Sequence, residues 1–164
     1  MQLTRQNTVD ARADNELSIT RTFKAPRSLV FKAWTEPEHL AHWSGPLGFT
    51  TPHHEMDLRV GGVYRACLRA PDGVDHWVKG SYREITPPER LVMTHCWTDA
   101  EGRPTAAETI ITVTLTESNG ETLMRFHQAL FETSASRDGH SQGWSQSFDR
   151  LFDYLGHVAP GVQS

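Results

Sequence analysis

Residues 16–23 alternate, with Leu17, Ile19 and Phe23 set against Ser18, Thr20 and Thr22. That period of two predicts a strand. After Pro26 the period lengthens: Leu29, Val30, Ala33 and Trp34 fall on one face of a helix that the proline opens. Thr35 and Glu38 have the spacing of a capping box, with Pro37 in the first turn. A second, short helix is therefore expected from about Pro37 to Trp43, turning Leu40 inward and ended by Gly45, Pro46 and Gly48. From Phe49 to Phe131 turn signals recur at Gly61-Gly62, Asp72-Gly73, Pro87-Pro88, Gly102 with Pro104, and Asn119-Gly120. They predict a meander of about six antiparallel strands. A last stripe of Trp144, Phe148, Leu151, Phe152 and Leu155 predicts a long helix from roughly Arg137 to His157.

Two hairpins can be registered. Asn119-Gly120 is the strongest short signal for a type I′ turn. It sets Leu115 opposite Met124, Val113 opposite Phe126 and Ile111 opposite Gln128, all on one face. Thr112, Thr114, Arg125 and His127 take the other, which suits solvent. Gln128 is thus an amide on the apolar side, bonded either to the protein or to a ligand. Around Pro87-Pro88, matching the apolar faces pairs Tyr82 with Met93, Gly80 with His95 and Val78 with Trp97. His95 then points inward opposite a glycine, which leaves room above it. At Asp72-Gly73 the parity stays open: either Tyr64, Ala66 and Leu68 or Val63, Arg65 and Cys67 face inward.

Strand, two short helices, six strands and a long helix make an α+β domain in which that last helix covers the sheet. At 164 residues one domain is expected, over 15–158, with a loose polar arm at 1–14 and a tail at 159–164. The net charge of −4, with both signs interspersed, does not recommend nucleic acid. No apolar run is long enough to span a bilayer, and the N-terminus lacks a signal-peptide core. Cys67 and Cys96, without CxxC spacing, suggest neither a disulfide framework nor a zinc site. A cytoplasmic protein is the expectation.

The nine histidines invite a metal reading. His53 and His54 are adjacent on a strand and point to opposite faces. His39 and His42 form a pair without a recognisable third ligand. HExxH, G-x-S-x-G, P-loop and GxGxxG motifs are all missing from the sequence. No metal, no cofactor and no catalytic residue is assigned.

The ordered series "FKAPRSLVFKAWTEPEHLAHWSGP", "DLRVGGVYR", "PDGVDHWVKGSYREITPPERLVMTHCW" and "GWSQSFDRLFDYL" closely resembles the activator of Hsp90 ATPase homologue-like family. The resemblance covers about residues 15–157. That family sits in the START-like (SRPBCC) superfamily, and the resemblance implies a helix-grip fold. Its parts are a curved antiparallel sheet around the C-terminal helix, two short helices after the first strand, and an elongated cavity between sheet and helix. The family name carries the chaperone and stress-response association. In eukaryotic co-chaperones, however, this domain accompanies a separate chaperone-binding domain, and only the one domain is recognisable here.

Fold alone does not decide the activity. The leading expectation is non-catalytic binding of a small hydrophobic, ring-containing molecule, because the inward faces supply aromatics with few polar anchors. The expected cavity residues are Trp43, Val78, Tyr82, Met93, His95, Trp97, Val113, Phe126, Gln128, Trp144 and Phe148. A cyclase- or hydrolase-like enzyme with His95 as acid–base and Gln128 orienting the substrate is the alternative. A co-chaperone-type interaction module is the third. No nucleic acid and no membrane is expected as partner, whereas a homodimer and a chaperone remain open.

Overall fold

A computed structural model of the chain describes residues 7–10 and 15–163, with side chains placed over 15–158. In chain order come β1 (Asn7–Asp10), β2 (Glu16–Phe23), α1 (Arg27–Thr35), α2 (Pro37–Leu40), β3 (Thr50–Met56) and β4 (Val63–Arg69). They are followed by β5 (Asp75–Thr86), β6 (Arg90–Thr98), β7 (Thr109–Ser118), β8 (Glu121–Ala129) and α3 (Ser134–Gln163). All strands pair antiparallel in one sheet, in the order β1-β2-β8-β7-β6-β5-β4-β3. This is the helix-grip arrangement, with α3 lying across the inner face.

The Asn119-Gly120 turn fixes the centre of the sheet. Both residues have positive φ, 56° and 79°, as a type I′ hairpin requires. Leu115 pairs with Met124, Val113 with Phe126 and Ile111 with Gln128, as the sequence predicts. All six are buried. Neighbouring β2 presents Leu17, Ile19 and Phe23 to the same core. It also presents Arg21, which pairs with Met124 across the strands and is fully buried. Its guanidinium meets Asp149 of α3 at 3.1 Å, so a salt bridge ties the helix to β2. A buried arginine lacking such a partner would be costly.

Aromatic packing closes the centre. Trp34 of α1 stands edge-on to Trp43 (4.9 Å) and stacks near Phe126 (6.2 Å) and Trp144 (5.9 Å). Phe148, Leu151 and Leu155 of α3 are completely covered. The helical corner between α1 and β3 therefore spends its tryptophans on the core.

Several expectations are corrected. The capping box at Thr35 and Glu38 does not form, since Thr35 Oγ1 donates back to the Phe31 carbonyl (2.8 Å) and Glu36 occupies the N-cap. Part of the expected loose arm, Asn7–Asp10, is a strand paired with β2, while 1–6 and 11–14 lie outside the described residues. α3 begins at Ser134 and runs through the expected tail to Gln163, and Ser164 is not described. The open parity at Asp72-Gly73 resolves with Tyr64, Ala66 and Leu68 inward, and Cys67 is buried on the opposite face. Tyr82–Met93 and Val78–Trp97 pair as expected. The room above Gly80, however, belongs to Tyr64: a Cβ there would strike the tyrosine ring and the Thr94 carbonyl. Tyr64 Oη donates to that carbonyl at 2.6 Å. Among the described residues, no helix is long and apolar enough to cross a membrane.

Candidate functional site

Where α3 leaves the packed core, towards its N-terminal end, it stands off the sheet and leaves a cavity of about 400 Å³. The sheet contributes Leu68 of β4, His76 of β5, and His95 and Trp97 of β6. The segment between α2 and β3 contributes Gly45, Pro46 and Phe49. From α3 come Ser136, Gly139, His140, Gly143, Trp144 and Ser147.

The helix makes this space by withholding side chains. Gly139 and Gly143 sit one turn apart on the cavity face. Glycine within a helix costs roughly 0.5–1 kcal/mol relative to alanine. Neither position is needed for close packing, since a Cβ at Gly139 would touch nothing within 4 Å and one at Gly143 would make an ordinary 3.6 Å contact with Pro46. The two glycines leave a bare strip along the wall.

One lip is held down by α3. Arg150 Nη1 donates to the carbonyls of Ser44 (2.8 Å), Gly45 (2.9 Å) and Pro46 (3.2 Å). Ser147 Oγ lies 3.0 and 2.8 Å from the carbonyls of Trp43 and Gly45, and Gln146 Oε1 accepts from the Leu47 amide at 3.1 Å. The loop therefore has fixed geometry beside the glycine strip.

The opposite wall is a bonded chain of aromatic and polar groups. Trp97 Nε1 donates to His140 Nε2 at 2.8 Å. His140 must therefore carry its proton on Nδ1, which donates to the Ser136 carbonyl at 2.7 Å. Burial lowers the His140 pKa below the ordinary histidine value, although the Ser136 bond opposes this. Trp144 Nε1 donates to Gln128 Oε1 (2.8 Å), and Gln128 Nε2 donates to Thr109 Oγ1 (2.9 Å). Thr109 passes its own proton to the His95 carbonyl at 3.1 Å.

His95 itself is buried between Trp97 (5.2 Å), His140 (5.9 Å) and Trp144 (6.1 Å). Desolvation, with a smaller contribution from His140, pushes its pKa down to about 3, so its imidazole is neutral at neutral pH. Its ring nitrogens take no hydrogen bond among the described residues.

Of the residues expected to line the cavity, the structure places His95, Trp97 and Trp144 on its wall. Gln128 is one layer behind, with both amide functions committed to protein partners. Tyr82, Met93, Val113, Phe126 and Phe148 are core residues, and Val78 is buried in β5. Trp43 is core as well, its indole N–H donated to the Ala33 carbonyl at 3.0 Å. The expected site thus lies too deep, because sequence parity tells which face is inward but not where the helix lifts away. Gly139, Gly143 and His140 are not among the expected residues. Two glycines spaced by four within a predicted helix were the available signal.

His39 and His42 do pair, but around Tyr154 of α3: His39 Nδ1 lies 2.6 Å from its hydroxyl, and His42 stacks on its ring at 4.7 Å. Among the described residues no group of three His, Cys, Asp or Glu side chains is placed to hold a metal.

Comparison with known proteins agrees with the fold. The family described as activator of Hsp90 ATPase homolog 1-like protein matches residues 24–156. A structure from Chromobacterium violaceum is similar with a TM-score of 0.78 at 30% identity, covering 86% of this chain and 96% of that one. One from Nitrosomonas europaea has a TM-score of 0.75 at 25% identity, covering 89% and 97%. The AHSA1 protein from Silicibacter pomeroyi has a TM-score of 0.77 at 25% identity, covering 87% and 99%. No curated protein matches the chain.

Proposed function

The chain belongs to the activator of Hsp90 ATPase homolog 1-like family, and from that premise we propose that it binds a small, apolar, ring-containing molecule without transforming it. The cavity carries the reading. Its volume of about 400 Å³ falls within the range of ligand pockets, and the surface its walls present is chiefly apolar. Trp97, Trp144 and Phe49 offer flat apolar faces, and the glycine strip on α3 gives a planar molecule a smooth opposing surface.

The non-catalytic half of the proposal rests on the polar groups. A histidine whose pKa is near 3 is a weak base at neutral pH and has little drive to take a proton from substrate. Gln128, the expected orienting group, is turned away into the protein.

The neutral fluorophore N-phenyl-1-naphthylamine tests the reading. Its emission should rise on mixing with the wild-type protein and stay low with Gly139→Phe, which fills the cavity from the helix side. The variant should melt no lower than the wild type, because a Cβ at this position meets no atom within 4 Å and phenylalanine suits a helix better than glycine. No enhancement by the wild type, or equal enhancement by the variant, overturns the proposal.

A further inference from the structure

We infer that the cavity selects neutral hydroxylated aromatic molecules over the corresponding carboxylates, and that the imidazole of His95 is the group that reads the hydroxyl. The inference rests on the binding function proposed above and names the class of ligand.

It starts from the hydrogen-bonding capacity left over after folding. The indole N–H groups of Trp97 and Trp144 are spent on His140 and Gln128. Both ring nitrogens of His140 are used, one accepting from Trp97 and one donating to Ser136. The Ser147 hydroxyl is spent on the 43–45 loop. His76 is exposed and Ser136 is half-solvated, so water can serve both. His95 is different: it is buried, faces the cavity, and takes no hydrogen bond from the described residues. Its ring nitrogens open onto the cavity, so a hydroxyl seated there can bond to them in a setting sheltered from bulk water.

Charge decides what that ligand is. Among the described residues, the cavity wall contains no lysine, arginine, aspartate or glutamate. The titratable neighbours of His95 are His140 on α3 and, lining a small adjoining cleft, Glu132, which accepts from the Ala107 amide at 3.1 Å. The nearby cation, Arg150, is engaged by the backbone carbonyls of His42 and residues 44–46 and does not line the cavity, so it does not offset a ligand carboxylate, and Glu132 would repel it. An anion entering this space gives up its hydration with no opposite charge in return.

A hydroxyl meets no such penalty. A neutral imidazole has one donor and one acceptor nitrogen, and a hydroxyl is both donor and acceptor. The two can pair in either tautomer. The flanking indoles of Trp97 and Trp144 favour an aromatic skeleton behind that hydroxyl, and the volume admits a bicyclic or tricyclic one.

The test uses three probes of one shape with the full-length protein at pH 7: 2-naphthol, naphthalene and 2-naphthoate, titrated calorimetrically. The expected order is naphthol tightest, naphthalene about five- to tenfold weaker for the missing hydrogen bond, and naphthoate weakest. In His95→Phe, naphthol should fall to the level of naphthalene. Gly156→Ala, on α3 outside the cavity, should leave the order unchanged. Naphthoate binding as tightly as naphthol overturns the inference while leaving the binding function standing, and so does a naphthol preference that survives in His95→Phe. Failure of all three probes to bind overturns the binding function and the inference with it. Should His95→Phe not fold, His95→Leu takes its place, and the wild-type order still decides the selectivity.

Discussion

The indole N–H of Trp144 and the side-chain amide of Gln128 meet at 2.8 Å, which fastens α3 to β8 directly behind the cavity. Gln128 is completely buried and has a second partner in Thr109. An amide on an otherwise apolar sheet face is thus part of the joint between helix and sheet.

Replacing Gln128 by leucine should lower stability by about 1–3 kcal/mol, because Trp144 Nε1 and Thr109 Oγ1 would each lose a partner. Urea denaturation measures it. A ligand seated in the cavity should notice little, since Gln128 does not face it. Unchanged stability with weakened ligand binding would show that the amide reaches the ligand after all.

Gly139→Ala and Gly156→Ala should each raise stability, by roughly 0.5–1 kcal/mol, through helix propensity alone. Neither added Cβ meets an atom within 4 Å. Ligand affinity separates them, because Gly139 lines the cavity and Gly156 does not. Thermal melts of the two variants should rise together while ligand titrations diverge. A fall in melting temperature at either site refutes the assignment of open space.

Arg150→Ala should free the cavity lip. Three carbonyls of residues 44–46 would lose a charge-assisted donor, at a cost of about 1–3 kcal/mol in stability. Amide hydrogen exchange should accelerate over residues 42–49 more than in β7 or β8. Uniform acceleration throughout the chain would mean that Arg150 supports the whole fold instead.

Acid should destabilise the protein through its buried histidines. The His95 pKa falls from 6.5 unfolded to about 3 folded, and burial also lowers those of His54 and His140. Between those two limits the unfolded chain binds more protons than the folded one. Stability is therefore full above about pH 6.5 and declines as the pH drops toward 3. Each such histidine contributes a slope of at most about 1.4 kcal/mol per pH unit. His95→Phe should flatten the slope measured by chemical denaturation between pH 6.5 and 4. A slope unaltered by this change would mean that His95 is protonated in the native state.

Much of the fold could be read from local chemistry. Asn119-Gly120 demands a particular turn, that turn dictates register, and the register puts Gln128 inward. Its partner was hidden, because Trp144 reaches it only through the docking of α3, which no local pattern encodes. The same holds for Arg21: on β2 its position falls in line with Leu17, Ile19 and Phe23, yet a charged residue there makes sense only once Asp149 is opposite. Thr35 and Glu38 have the right spacing for a cap, but the Phe31 carbonyl lies closer at hand. The cavity was harder still. Gly139 and Gly143 look like weaknesses in a helix until the empty space beside them is seen.

α3 divides its work along its length. Phe148, Leu151 and Leu155 hold the core, whereas Ser136 to Ser147 wall the cavity. The two tasks overlap by scarcely a turn. A change of residue at 136, 139 or 140 alters the cavity wall and leaves the buried side chains at 148, 151 and 155 in place. A lineage carrying this scaffold is free to trade one guest for another by small steps, each of them viable.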